Sequence, residues 1–295
     1  MTAANQRRAT WCALGAVAVW STVATAFKLA LRHLDTYQLL FVAVAVSLLC
    51  LSAVLVAQRR VGDLARTARG DRTRALLLGA LNPFAYYLVL FAAYDRLPAQ
   101  VAQPLNYTWA LTLSWLAIPL LRQKPRRRVL LAGLVCYAGV FLIATGGSAA
   151  GFAVADPLGV GLALGSTILW ALYWLANARS RLDPVVGLWW NFAGAAPLCL
   201  ATVALRSGFA IPAPGLLAGA YVGAFEMGFT FILWLSALRL STSAARVANL
   251  IFLSPLLSLV LIHFVLHESV RPATIAGLAL IIGGLWWQQS ERAPA

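Results

Sequence analysis

The stretch YDRLPAQVAQPLNYTWAL, Tyr94–Leu111, decides how this chain is read. Shifted by 143 residues it lies over ALRLSTSAARVANLIFLS, Ala237–Ser254, so that Arg96 meets Arg239, Leu97 meets Leu240 and Asn106 meets Asn249. One further residue of offset lays Ala132-Gly133-Leu134 over Ala276-Gly277-Leu278 and Gly139 over Gly283. Apolar matches are cheap in such a sequence, whereas an Arg-Leu pair and an Asn at one offset are not. The chain therefore reads as two copies of one unit, residues 1–150 and 151–295.

Composition says where the copies fold. Of 295 residues, 61% are hydrophobic and 11% charged, and the mean hydropathy is +0.80. A soluble domain carries about 25% charged residues, so these charges cannot cover a water-exposed surface. That excludes soluble enzymes, disordered tails and disulfide-rich secreted domains. A membrane-spanning helix uses about 20 apolar residues. Ten apolar runs fit, at 11–31, 36–57, 75–94, 99–120, 129–147, 158–178, 184–205, 215–238, 243–266 and 272–289. Turn signals separate them, among them Gly70-Asp71, Pro125, Asp156-Pro157, Asp183-Pro184 and Pro212-Ala213-Pro214. The expected fold is an all-α membrane protein of ten transmembrane helices. Five spans per unit is an odd number, so the second copy enters the membrane the other way up. Inverted repeats of this kind are common among secondary transporters, with the substrate near the midplane between the halves.

Lys and Arg number 23 against 9 Asp and Glu, for a net charge of +14. No nucleic-acid motif accompanies them, so nucleic acid is not an expected partner. Counted by helix end, 17 basic residues, or 18 with Arg246, fall on one side and five on the other: Lys28, Arg32, Arg96, Arg206 and Arg271. Positive loops stay in the cytoplasm, which places both termini there and fits an even number of spans in a bacterial inner membrane. The basic loops are expected to attract anionic lipid headgroups. Cys12, Cys50, Cys136 and Cys199 lie inside apolar runs without metal-like spacing and read as small core residues.

Polar residues inside a membrane are costly and mark cavities or interhelical contacts. Helical spacing groups them by face. The fourth run carries Gln103, Asn106 and Tyr107 on one stripe, the sixth carries Ser166, Trp170, Tyr173 and Asn177, and the third carries Asn82 and Tyr86. Trp20 lies deep in the first run and Asn249 in the ninth. Amides and hydroxyls also serve as hydrogen-bond ties between helices. Lys28, Arg246 and His263 lie nearer span ends, where snorkelling is the leading reading; the alternative for Arg246 is to hold a substrate carboxylate on the cytoplasmic side. Glu226 is the one carboxylate about 18 Å into a run, at about 1.5 Å per residue, near the middle of a hydrocarbon layer about 30 Å thick. It suits a substrate ammonium or a coupling proton, and its structural alternative is a neutral side chain hydrogen-bonded between helices. The aromatic side chains suit an apolar substrate body, and the amides suit its polar end.

Trp20-Ser21-Thr22 with Lys28, Arg239-Leu240 leading into Ser254-Pro255, then Glu268, Gly277, Gly283 and Gly284, resemble the drug/metabolite transporter superfamily with two EamA-type domains. Leu105-Asn106-Tyr107-Thr108-Trp109 is similar to the fourth helix of YddG-type aromatic amino acid exporters, where the usual run is Asn-Tyr-x-Trp-Pro. Here Ala110 stands in place of the proline, and Thr112 and Pro125 stand opposite Pro255 and Glu268. The resemblance implies alternating access and export of a neutral or aromatic amino acid by a secondary transporter. The alternative is another small metabolite or a cationic drug in the same fold. A GxxxxGK[ST] nucleotide motif is absent from the sequence, as are HExxH and GxSxG. Neither enzymatic activity nor a cofactor is expected, and the chain is expected to work as a monomer.

Overall fold

The computed structural model describes residues 3–120, 127–147, 156–177, 180–241 and 250–289, which form helices joined by short turns, with no strand among them. Much of the scarce acid marks helix starts. Asp35 opens α3 (Thr36–Ala57) with a capping box, its carboxylate accepting from Tyr37 and Gln38 N–H while the Gln38 side chain reaches back. The two Asp-Pro steps act alike. Asp156 accepts from Gly159 N–H at the start of α10 (Pro157–Asn177), and Asp183 accepts from Val185 and Val186 at the start of α11 (Pro184–Arg206). In both, proline occupies the first helical position, where its missing N–H costs nothing.

Four rods are interrupted. The first consists of α1 (Ala3–Trp20) and α2 (Val23–Leu31), separated at Ser21-Thr22. There the Ser21 and Thr22 hydroxyls donate to Val17 and Val19 carbonyls, a back-bonding that bends helices. In the third rod α5 (Arg69–Gly79) passes through a wide π-helical turn, Ala80–Ala85, into α6 (Tyr86–Arg96), with Asn82 in extended conformation (φ −146°, ψ 122°). The rod begins at Arg69, before the expected 75, with Arg72 lying over the Trp190 ring and Arg74 donating to Ala176 O. The stretch 99–120 divides at Thr108 into α7 (Ala99–Tyr107) and α8 (Trp109–Leu120). Finally, α12 (Ala213–Tyr221) passes through a second π-helical segment, Val222–Phe229, into α13 (Thr230–Leu240), with the Thr230 hydroxyl donating to the Phe225 carbonyl. The repeat offset carries 80–85 onto 223–228, so both copies widen at the same place.

A basic-end helix, α4 (Val61–Arg66), and the rods α9 (Arg127–Ala144), α14 (Leu253–Leu266) and α15 (Pro272–Gln289) complete the described helices apart from a 3₁₀ turn at Leu250–Phe252. Among the described residues six helical stretches are long and apolar enough to cross a membrane, from Arg7–Leu31 to Ala213–Trp234. Leu130–Ala144, Leu253–Leu266 and Pro272–Trp287 are shorter apolar helices. Large apolar side chains cover the outside; Leu77, Leu217 and Phe264 are 69%, 72% and 69% exposed. Such a surface suits lipid rather than water.

Packing repeats with the copies exchanged. Gly79 of the third rod lies so close to α11 that a Cβ there would meet Asn191 O at 2.0 Å. Gly223 of the second copy approaches α3 likewise, 2.5 Å from Ala43 O. The last described rods of the two copies, α9 and α15, meet on glycine: a Cβ on Gly139 would fall 2.5 Å from Gly277 O, and one on Gly277 would fall 2.6 Å from Gly139 O. Small residues permit this backbone approach, the main source of helix association where no water drives it.

The loops gather at two ends. At one, Gln38 donates to Gly208 and Ala210 carbonyls, and Arg96 pairs with Asp156 at 3.0 Å. At the other, arginine-rich end, Arg60 pairs with Asp183 at 3.2 Å and Arg74 donates to Ala176 O.

Candidate functional site

The interruptions converge. Residues beside each of them line one central cavity of about 150 Å³. A dry cavity of about that size holds a benzene-sized molecule. Trp20 comes from the bend in the first rod, Tyr86 from the end of the first π-helical turn, Asn106, Tyr107 and Trp109 from the break at Thr108, and Glu226 from the second π-helical segment. Helices broken at mid-depth expose backbone and side-chain dipoles that a continuous helix would hide.

Trp170 organises the wall. Its ring lies 4.5 Å from Tyr86, 6.4 Å from Trp109 and 6.1 Å from Phe231. Trp20 faces it from the first rod, 5.9 Å from Phe231 and 5.3 Å from Trp234. These rings present both faces and edges, which suits an aromatic guest. The polar part is small. Tyr87 OH donates to Glu226 Oε1 at 3.2 Å, the Trp20 indole is turned toward the same carboxyl, and Glu226 Oε2 has no partner. Asn106 Nδ2 donates to Ser166 Oγ at 2.9 Å and to Tyr86 OH at 3.4 Å, tying α7 to α10 and to the third rod. Gln103 lines the cavity with its Oε1 unpartnered. Among the described lining residues Glu226 is the one carboxylate, and none is Lys or Arg.

Of the residues expected here, Trp20, Tyr86, Gln103, Asn106, Tyr107, Trp170 and Glu226 do line this cavity. Asn249 lies outside the described residues. Asn82 and Tyr173 are instead 2% exposed and sit between helices, and Tyr173 also borders the smaller cavity that Asn177 lines. With the Asn191 amide turned to satisfy all its neighbours, it accepts from Tyr173 OH and donates to Ala75 and Gly187 carbonyls. Asn82 faces the same tyrosine, so this group joins the third rod to α10 and α11. Asn177 lines a smaller cavity of about 120 Å³ toward the arginine-rich end, with Ser180 and Asp183. Trp174 and Phe231 line both cavities.

Lys28 is not merely snorkelling: its Nζ donates to the Tyr94 carbonyl at 2.8 Å and Leu97 at 3.2 Å, capping α6. Trp189 and Trp190 donate to Ser52 and Thr67, away from the cavity. Sequence reasoning missed Phe27, Tyr94, Trp109, Trp174, Phe231 and Trp234 as lining residues. Two carried a signal. Phe27 is the repeat counterpart of Trp170, 143 positions earlier, and Trp174 follows Trp170 by one turn.

Comparison with known proteins bears on the whole chain. The sequence profile described as the EamA-like transporter family matches residues 7–145 and again 157–287. A 156-residue segment is 32% identical to an uncharacterized transporter, YvbV, of Bacillus subtilis (strain 168); the match spans 50% of this chain and 48% of that protein, so about half of the relative's length is covered. A solved structure described as "Crystal structure of protein" superposes with a TM-score of 0.68 at 22% identity over 95% of both chains, a likeness of fold.

Proposed function

Because the chain belongs to the EamA-like transporter family, whose members are transporters and not enzymes, we propose that it is a secondary transporter exporting neutral and aromatic amino acids across a bacterial inner membrane. The proposal includes ten spans in two inverted five-helix repeats, with both termini cytoplasmic and the 17 or 18 basic residues of one end facing the cytoplasm. The driving force is a gradient, in keeping with the absence of a GxxxxGK[ST] motif from the sequence. The single observation carrying this reading is the aromatic cavity bounded by interrupted helices of both repeats, with Glu226 on its wall.

Binding follows from the wall. Trp20, Tyr86, Tyr107 and Trp170 take the apolar side chain. Glu226 takes the ammonium, three donors meeting a carboxylate whose Oε2 lacks a partner. Gln103 and Asn106 orient the carboxylate end. Alternating access then moves the two repeats about the fixed site, with Trp174 and Phe231 between the central cavity and the arginine-rich mouth. A second reading has one observation in its favour. With one carboxylate and no Lys or Arg among the described lining residues, an aromatic amine without a carboxylate also satisfies the site.

Counterflow in proteoliposomes tests both readings. Vesicles preloaded with unlabelled Trp, Phe, Thr, Met or the corresponding aromatic amines receive a trace of labelled solute. Transient accumulation driven by amino acids supports export of amino acids, and accumulation driven only by amines selects the second reading. A flat trace for every solute from folded protein removes both.

A further inference from the structure

The corner between α6 and α7, Leu97-Pro98, is held from the other repeat. Glu268 Oε1 accepts from Ala99 N–H at 3.0 Å, and Oε2 accepts from Gln100 N–H at 3.3 Å and from Gln100 Nε2 at 3.4 Å. The Gln100 side chain continues the junction. It donates to Ser269 O at 3.0 Å and accepts from Arg271 N–H at 3.0 Å and Thr274 Oγ1 at 3.1 Å. All six bonds cross between the two repeats. Gln100 and Thr274 are 4% and 1% exposed, while Glu268 is half-buried, so the Gln100 side chain is the enclosed part of the junction, where a lost partner is expensive.

The placement is built locally. α14 stops at Leu266, His267 takes a left-handed conformation (φ 57°), and Glu268 N–H returns to the Ile262 carbonyl. The left-handed residue ends the helix, as such residues commonly do at a helix C-terminus, and the reversal brings the Glu268 side chain onto the start of α7. A carboxylate on the first N–H groups of a helix also meets the positive end of its dipole. Glu268 thus caps α7 in trans, while Lys28 holds the carbonyl end of α6 on the other side of the same corner.

The repeat makes the arrangement one-sided. Glu268 has Pro125 as its counterpart in the first copy, and Gln100 has Ser243 in the second. A proline side chain accepts no hydrogen bond, so the sequence supplies no second copy of this clasp for the arginine-rich end.

We infer that Glu268 and Gln100 form the latch of the outer gate: they hold the arginine-poor end closed, and opening toward that side requires their bonds to break. The inference rests on the alternating-access reading above. Glu268 acts as a positioning residue at the repeat interface, and it is not among the residues lining the central cavity.

Access to the cavity tests it without a substrate. Ala110, on the cavity wall, is changed to Cys in a background with Cys12, Cys50, Cys136 and Cys199 replaced by Ala. The reaction rate with a membrane-impermeant thiol reagent is then measured from each face in sealed vesicles. Glu268→Ala and Gln100→Leu are expected to raise the rate from the outer face about tenfold and to leave the inner-face rate unchanged. If Glu268→Ala does not fold, Gln100→Leu alone decides. Folded variants that label at the parent rate from outside, or that gain equally from both faces, overturn the latch. Because labelling needs no solute, a flat counterflow trace leaves this result standing. Intact counterflow with unaltered labelling removes the latch alone.

Discussion

Glu226→Gln is the perturbation that asks most of the cavity. Gln keeps the shape, and its amide oxygen can still accept from Tyr87 OH, so the wall is preserved. What is lost is the ability to carry a negative charge opposite a bound ammonium. The Tyr87 bond, at 3.2 Å, is long for O–H···O, whose usual separation is about 2.7–2.8 Å. Glu226 Oε2 has no hydrogen-bond partner, with the Trp20 indole turned toward the carboxyl. One carboxyl oxygen is therefore open to a bound ammonium. Truncating one partner of a buried, hydrogen-bonded charge pair costs about 2–5 kcal/mol. At about 1.4 kcal/mol per factor of ten, the half-saturating solute concentration should rise at least about 30-fold. The assay is concentration-dependent counterflow, paired with a desamino analogue of the same solute that competes for the aromatic wall alone. Competition by that analogue should be insensitive to the substitution. A half-saturating concentration within twofold of the parent would refute the assignment of the ammonium to Glu226, as would an equal loss for the desamino analogue.

Trp170→Leu keeps an apolar wall but removes the ring meeting Tyr86, Trp109 and Phe231. At about 0.5–1.5 kcal/mol for an aromatic pair beyond its area, it should weaken aromatic solutes about two- to tenfold in counterflow competition and leave Thr or Met nearly unaffected. Gly139→Val places a Cβ 2.5 Å from Gly277 O; overpacking of about 1–3 kcal/mol should lower the unfolding temperature in detergent, and an unchanged value would deny that α9 and α15 need the close approach. Asp156 is held below the usual carboxylate range by the Gly159 N–H and then by Arg96. Its contribution to stability is present above the ordinary carboxylate pKa and is lost as pH falls through the lowered value. Asp156→Asn should therefore lower the unfolding temperature in detergent at neutral pH and flatten the acid limb, so that variant and parent converge as pH falls; a variant equal to the parent at neutral pH would deny that contribution.

The residues show why some of this was legible and some was not. Membrane character, the two repeats and many helix ends follow from local chemistry: apolar run length, Asp-Pro starts at 156–157 and 183–184, and an Arg-Leu and Asn recurring at one offset. Each depends on neighbours in sequence, so the chain announces it. The positions of the breaks at Ser21-Thr22 and Thr108 were written in hydroxyls whose preference for back-bonding is weak until neighbours hold the bend.

What only the tertiary structure decided is the direction each polar side chain faces. In water, a polar stripe marks the outside of a helix. Inside a bilayer the outside is apolar too, so a polar residue announces only that it is inward, toward a cavity or toward another helix. Asn106 and Asn82 look alike in sequence, yet one borders the cavity and the other is enclosed beside Tyr173. Glu268 reads as a span-end charge until a chain reversal at His267 carries it onto a helix more than 160 residues away. Distances of that kind are set by how the two repeats meet, and no short stretch of either repeat contains them.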